Sequence, residues 1–259
     1  KLAKEHGPLM HLQLGSIPTL VISSANVAKD IFKAHDLVFS SRPQLYAGHR
    51  LSYKCNDITF APYGEYWREI RKIVLMEVFS IKRVQSFRST REEEVQLMIN
   101  SIARCSSAKL VNLSELTLSL SNNVICRIAF SKKFDDVQVR PESGPHEILR
   151  TTQSLVAEFN VADYYPWLGY LLNKVNRVDS RLEKNCSEID GILDEVIAEH
   201  RETISDPETI VDVLLRLQKD PTRTISLTND QVKGILLVSI INTLDKCFVI
   251  NSVFEHIVN

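Results

Sequence analysis

Metal-binding cysteine chemistry is what this sequence most plainly does without. Its five cysteines, Cys55, Cys105, Cys126, Cys186 and Cys247, are scattered. They form no CxxC pair and no close Cys/His pairing, so a zinc site and a disulfide framework are both disfavoured. A reducing compartment is the default reading. There is no glycine-rich phosphate loop, no HExxH and no GxSxG, and no two histidines stand at helical ligand spacing. The seven histidines are dispersed and read as surface or structural residues. Neither sign of charge dominates: 31 Lys and Arg against 32 Asp and Glu leave a net −1, so the basic face a nucleic acid would want is missing. The longest apolar run, Gly234 to Ile241, is too short to span a bilayer, and no signal-peptide pattern is visible. The chain begins at Lys1, as a segment from inside a longer protein would.

What is present is helical periodicity after a small strand region. With 44 % hydrophobic residues in 259, a sizeable core is available to one large or two modest domains. "HLQLG" and "TLVISS" alternate around "SIP" and predict a short hairpin from about Met10 to Ser23, with Leu12 and Leu14 against Leu20 and Ile22. A helix should follow with Ser24 as N-cap and Val27, Ile31 and Phe32 on one face. Residues 44–62 show no period and read as a loop. Residues 84–105 read as one charged amphipathic helix, with "REEEVQ" (Arg91 to Gln96) as its solvated face. Asn112 to Phe130 carries few charges and should be largely buried. Val175, Leu182, Ile189 and Val196 recur at strict sevens, with Val178 and Leu193 between them, predicting one long helix over 175–203. Another long helix is expected over 228–257, opened by a capping box of Thr228 and Gln231. The expected class is mainly α with a small β-hairpin region.

One stretch stands out from this bland pattern, "YGEYWREIRKI" (Tyr63 to Ile73). On a helix, Trp67 and Arg71 lie one above the other, and Val74 and Val78 continue the stripe. An apolar stripe faces a core, and a buried guanidinium must find an anion or several acceptors. The residues alone leave two readings open: an arginine facing an anion, or an exposed arginine stacked on a tryptophan.

"HGPLMHLQLGSIPTLVISSANVAKDIFKAHDLVFSSRP" followed by "ITFAPYGEYWREIRKI" resembles the N-terminal half of a cytochrome P450, of the plant microsomal kind that oxidises specialised metabolites such as terpenoids and alkaloids. "DYYPWLGYL" and "IVDVLLRLQKD" fit the same family in the same order. The resemblance implies one partial domain over 1–259, the N-terminal portion of that fold, ending in its I helix. It implies heme as cofactor, with Trp67 and Arg71 of the WxxxR motif reaching a heme propionate from the C helix. The missing anion is then a carboxylate, to which a planar guanidinium is well matched. Asp57, Ile58, Thr59 and Phe60 would lie in the loop roofing the substrate pocket, together with Phe159 to Leu172 and the middle of the last helix. The implied activity is heme-thiolate monooxygenation of a lipophilic small molecule, with electrons from an NADPH–cytochrome P450 reductase. The implied location is the cytosolic face of the endoplasmic reticulum membrane, or the cytosol for a chain without an anchor.

The sequence also departs from that family. Where the oxygen-activating stretch of the I helix belongs, it reads "NTLDKC" (Asn242 to Cys247). Asp245 falls on the acidic position and is the candidate catalytic residue. Thr243 replaces a glycine, and Lys246 replaces the proton-relaying threonine; an ammonium has no acceptor with which to relay a proton. The family's later half, an ExxR motif followed by the glycine-rich loop bearing the iron-ligating cysteine, has no counterpart in these 259 residues: no such loop occurs, and EYWR and EILR are not followed by one. No metal ligand is therefore expected here. The chain alone is expected to be inactive, the alternative being a non-catalytic remnant or a helical interaction module.

Overall fold

Alternation over residues 9–22 does produce a hairpin. After a short helix α1 (Leu2–His6), strand β1 (Leu9–Leu14) pairs antiparallel with β2 (Ile17–Ile22). The structure, a computed structural model, describes residues 2–104, 111–132, 145–203, 205–221 and 227–239. The hairpin register is three residues off the expected one: Leu12 stands opposite Thr19 and Leu14 opposite Ile17, while Leu20 faces His11. Met10, Leu12, Thr19 and Val21 are half-buried, and Leu20 and Ile22 are exposed. A shift by an odd number of residues exchanges the two faces, and its cause is the turn. Gly15 and Ser16 alone make it, with Gly15 at φ +61°. A Cβ on Gly15 would stand 2.5 Å from the Tyr164 carbonyl oxygen, which instead accepts from Ser16 N–H at 2.8 Å.

Helices α2 (Ala25–Ala34) and α3 (Asp36–Phe39) follow. Ser24 sits at the N-cap of α2 but its side chain makes no cap hydrogen bond. Phe32, expected on the inner face, is exposed, while Val27 and Ile31 are half-buried. The supposed loop 44–62 contains α4 (Tyr46–Leu51), which buries Ala47, Gly48 and Leu51; six residues are too few to show a period. Helix α5 (Glu65–Ile73) runs into a single π turn (Val74–Val78), where Phe79 N–H reaches back to the Val74 carbonyl at 3.0 Å.

The expected helix over 84–105 is two, α6 (Ile81–Ser86) and α7 (Arg88–Arg104), broken at buried Phe87. Nor is "REEEVQ" wholly solvated: Glu94 is buried, with its carboxylate 2.8 Å from Arg127. On α8 (Leu113–Phe130) only Asn122, Cys126, Ala129 and Phe130 are fully buried, fewer than its composition suggests. Next come α9 (Pro145–Ala157), α10 (Val161–Tyr164), α11 (Pro166–Val175) and α12 (Val178–Glu202). The long helix over 175–203 therefore starts later than its sevens imply. Arg177 adopts a left-handed conformation that separates α11 from α12, and Val175 is left exposed. Leu182, Ile189, Leu193 and Val196 are buried as the period requires.

Helix α13 (Ile210–Gln218) is buried nearly throughout, and opens with a reciprocal cap between Thr209 and Asp212. Helix α14, residues 229–239, carries the expected capping box: Thr228 N–H donates to Gln231 Oε1 at 2.8 Å, and Gln231 N–H to Thr228 Oγ1 at 3.3 Å. The remainder of the helix expected to 257, with Thr243, Asp245 and Lys246, lies outside the described residues. The main core gathers Ile70 and Val74, the C-terminal end of α8, and the buried faces of α9, α12, α13 and α14. A smaller cluster seats α4 on α9 and α12 through Ala47, Leu51, Leu155 and Leu182.

Candidate functional site

The site is built where α5 meets the loop before it. On an ideal helix each residue turns roughly 100° from the last, so Arg71 sits about 40° past Trp67. Burial on α5 falls on the other side of Trp67, on Ile70 and Ile73, with Val74 beyond them. The apolar stripe is therefore centred away from the arginine. Trp67 lies at its edge and is half-buried, while Arg71 is exposed. Of the two readings the residues leave open, the structure shows the exposed arginine stacked on a tryptophan. The guanidinium of Arg71 stands 5.1 Å from the Trp67 ring centroid, and it makes no hydrogen bond or ion pair among the described residues.

Trp67 is differently placed. Its indole N–H donates to the Ile58 carbonyl at 2.9 Å, and its ring packs at 5.5 Å from that of Tyr63. One residue earlier, the Tyr66 hydroxyl donates to the Asn56 carbonyl at 2.8 Å. Two successive side chains of α5 thus hold two carbonyls of the preceding loop. Arg42 adds a third tie, from Nε to the Thr59 carbonyl at 3.2 Å. Asp57 works from inside: its Oδ1 accepts from the N–H groups of Thr59 at 2.8 Å and Phe60 at 2.6 Å. Gly48 of α4 lets the Phe60 ring close, because a Cβ there would meet that ring at 3.0 Å.

Asp57, Ile58, Thr59 and Phe60 are the candidates for the pocket, and Trp67 with Arg71 for the cofactor. The fold joins the two sets through the Ile58–Trp67 bond. Asp57 itself is 1 % exposed, and its Oδ2 has no hydrogen-bond partner. Burial pushes its carboxyl up to about 6, against the lowering pull of the Phe60, Thr59 and Ala61 amides. Burial, reinforced by the nearby Asp57, likewise pushes the Tyr66 hydroxyl up to about 12. Asp57 therefore shapes the loop from beneath.

Before this loop, Tyr53, Lys54 and Cys55 all have positive φ (52°, 64° and 60°), each costing on the order of 1–2 kcal/mol. What holds them was not foreseen. The Tyr53 hydroxyl donates to Asp190 at 3.0 Å. Lys233 reaches Asp190 at 2.6 Å and Asp194 at 2.8 Å. The one available signal is a lysine, Lys233, directly before the apolar run of α14. The segment Phe159 to Leu172 supplies Phe159, Val161 and Leu172 to a cavity of about 130 Å³ that Leu155, Asn173 and Leu182 also line. Asp57 to Phe60 do not line it. No group of His, Cys, Asp and Glu among the described residues is placed to hold a metal ion.

Known proteins match this arrangement. The family model for cytochrome P450 matches residues 1–241. Cytochrome P450 71A9 of Glycine max is 51 % identical over 246 residues, covering 91 % of this chain and 48 % of its own length. A strychnine-11-hydroxylase of Strychnos nux-vomica is 48 % identical, covering 94 % of this chain and 48 % of itself. A zebra fish cytochrome P450 solved with progesterone superposes with a TM-score of 0.66 at 22 % identity, over 91 % of this chain and 53 % of its own. The chain thus spans about half the length of the curated relatives it matches. With the hairpin, the helix order and the α5 motif in agreement with the sequence match, the chain belongs to the cytochrome P450 family.

Proposed function

We propose that this chain forms the N-terminal half of a heme-thiolate monooxygenase that inserts one oxygen atom into a lipophilic small molecule of terpenoid or alkaloid type. The observation that carries the reading is Arg71, whose guanidinium is exposed and makes no ion pair among the described residues, on the family's WxxxR helix. An exposed fork of N–H donors matches a planar carboxylate, so Arg71 fits a heme propionate. Trp67 does not fit as directly, because its single donor is already bonded to Ile58. When bound, heme supplies the oxygen-activating chemistry. The part of this chain's residues is to hold the propionate through Arg71 and to keep the 56–60 loop closed over α5. Support for the substrate class comes from the strychnine hydroxylase among the relatives. Electrons would come from NADPH through a cytochrome P450 reductase, at the cytosolic face of the endoplasmic reticulum. No helix among the described residues is long and apolar enough to cross a membrane.

The 259 residues by themselves carry no cysteine in the iron-ligating context, and Lys246 stands where a hydroxyl is wanted. We therefore propose that this polypeptide alone does not turn over. Supplied with heme, reductase, NADPH and a panel of alkaloids and terpenoids, it is expected to yield no product one oxygen heavier. Its reduced carbon monoxide complex is expected to lack the red-shifted Soret band of thiolate-bound iron. Either signal would sink this reading of the fragment. A second reading, a helical interaction module, is favoured by large apolar side chains left exposed: Phe32 at 74 %, Val38 at 76 % and Ile81 at 78 %. An in-frame ExxR and cysteine loop in the transcript beyond Asn259 decides for the enzyme; an early stop decides for the module.

A further inference from the structure

We infer that Lys233 is a positioning residue: it locks a strained turn, residues 53–55, against α12 and α14, and through that turn it fixes the 56–60 loop. Tyr53, Lys54 and Cys55 are three successive residues with left-handed backbone, a conformation that L side chains disfavour and that persists only where the surroundings over-determine it. The backbone bonds of the turn run back to α4 and its end: Lys54 N–H reaches the His49 carbonyl at 2.9 Å, and Asn56 N–H the Ser52 carbonyl at 3.0 Å. They curl the turn without seating it on the helices beyond. The Tyr53 side chain does that, donating to Asp190 Oδ1 at 3.0 Å. Asp190 is itself held by the Lys233 ammonium at 2.6 Å, and Asp194, one turn along α12, takes the same ammonium at 2.8 Å. Lys233 is buried, and a buried ammonium cannot leave its carboxylates without stranding charge. The acceptor for Tyr53 is therefore fixed from α14. The next residue, Gly234, receives the loop: a Cβ there would stand 3.3 Å from the Asn56 carbonyl oxygen and 3.4 Å from the Asp57 Cβ. Lys233 and Gly234 thus seat the turn and the loop at consecutive positions of one helix. A cleft of about 410 Å³ beside them, with Leu51, Tyr53, Asp190 and Lys233 in its lining, leaves the turn room to unwind once released. The functional weight of this lock rests on the reading of 56–60 as the roof of the pocket; the lock itself is tested without heme, so either can fail alone.

Amide hydrogen exchange on the free protein tests the lock. The Thr59 and Phe60 amides, both bonded to Asp57 Oδ1, report the loop. The amides of Val213 and Leu214, in the buried α13, report the whole fold. Tyr53→Phe removes the hydroxyl and keeps the ring. It is expected to speed exchange at Thr59 and Phe60 at least about tenfold, and at Val213 and Leu214 by no more than about twofold. Lys233→Met is expected to release the loop at least as far. The strain of the turn allows a rescue. Lys54 is exposed and has φ +64°, a conformation that glycine takes at no steric cost. In a Lys54→Gly background the turn is under less tension, and Tyr53→Phe is expected to speed the loop amides by less than about threefold. Unchanged loop exchange in Tyr53→Phe overturns the lock. So does equal acceleration at Val213 and Leu214, which makes the bond one general support of the fold among many. A loop released to the same extent with and without Lys54→Gly overturns the strained turn as the element that is locked. If Lys233→Met does not fold, the Tyr53→Phe and Lys54→Gly proteins still decide the matter.

Discussion

Helices α12, α13 and α14 and the segment 44–60 are neighbours held by different forces. The three helices are fixed by apolar contact: Leu193, Val213, Leu214 and Leu236 are each no more than 2 % exposed. The segment 44–60 has few such anchors. It is fixed by hydrogen bonds between side chains and its backbone: Arg42, Tyr66 and Trp67 donate to its carbonyls and Asp57 accepts from its amides. Apolar packing is non-directional and tolerates small shifts. A net of hydrogen bonds sets the position of each backbone group, and each bond contributes only about 0.5–1.5 kcal/mol. The first arrangement supplies stability, and the second supplies placement beside Arg71.

That contrast breaks first, and with the largest effect, in the helical core. Leu214→Ala empties a fully buried position and is expected to cost about 2–5 kcal/mol, read from the urea midpoint. A loss below about 1 kcal/mol would mean that the α13 surroundings collapse into the space, and that the core is less firmly packed than its burial implies.

Next in size is a pH effect confined to the loop. The Asp57 carboxyl is pushed up to about 6 from an ordinary 3.8. Its folded value lies above its unfolded value, so protonation favours the fold. This contribution is fully present below the unfolded value and is lost as pH rises through about 6. Asp57→Asn keeps an acceptor for the Thr59 and Phe60 amides but cannot titrate. The wild type should therefore gain on the variant by on the order of 2–3 kcal/mol between pH 7 and pH 4. Parallel stability curves for the two proteins would remove the buried charge from the account.

The same contrast explains what could be read in the sequence. Periodic burial is written in the residue order, so Leu182, Ile189 and Val196 announced α12 and the Thr228–Gln231 box announced α14. The break at Arg177 was hidden because a left-handed arginine looks like any other arginine. The loop was opaque for a different reason. Tyr66 and Trp67 mark α5, but nothing in their spacing says that their polar ends turn back to Asn56 and Ile58. The motif located Trp67 and Arg71 correctly on one helix. It did not show that burial lies on Ile70 and Ile73, because a few tens of degrees around a helix are not resolved by a stripe of four residues.

An intermediate effect is expected where an arginine is already committed. Arg83 donates to the Glu208 carbonyl at 3.0 Å and to its carboxylate at 2.7 Å, tying α6 to the start of α13. Against desolvation, hydrogen bonds from Arg83 and Arg216 hold the Glu208 carboxyl below its ordinary value. That stability is present above the ordinary carboxylate range and is lost as pH falls through the lowered one. Arg83→Gln is expected to cost about 1–2 kcal/mol at pH 7 and less in acid. An equal cost at both pH values would assign the loss to packing of the arginine stem.

The smallest effect is expected at Arg71, and it is the one that bears on function. Its guanidinium is exposed and rests on the Trp67 ring at 5.1 Å, a contact contributing about 0.5–1 kcal/mol at the surface. Arg71→Gln should therefore shift the urea midpoint of the free protein by no more than that, well below Arg83→Gln under the same conditions. Two arginines on adjoining helices would then differ in what they are for: one is consumed in holding the fold, the other is left with its donors unspent. A loss at Arg71 as large as that at Arg83 would show that its donors already serve the fold. The residue would then have to give up those bonds before it could receive a carboxylate, and the case for Arg71 as the anion-binding group would weaken in proportion.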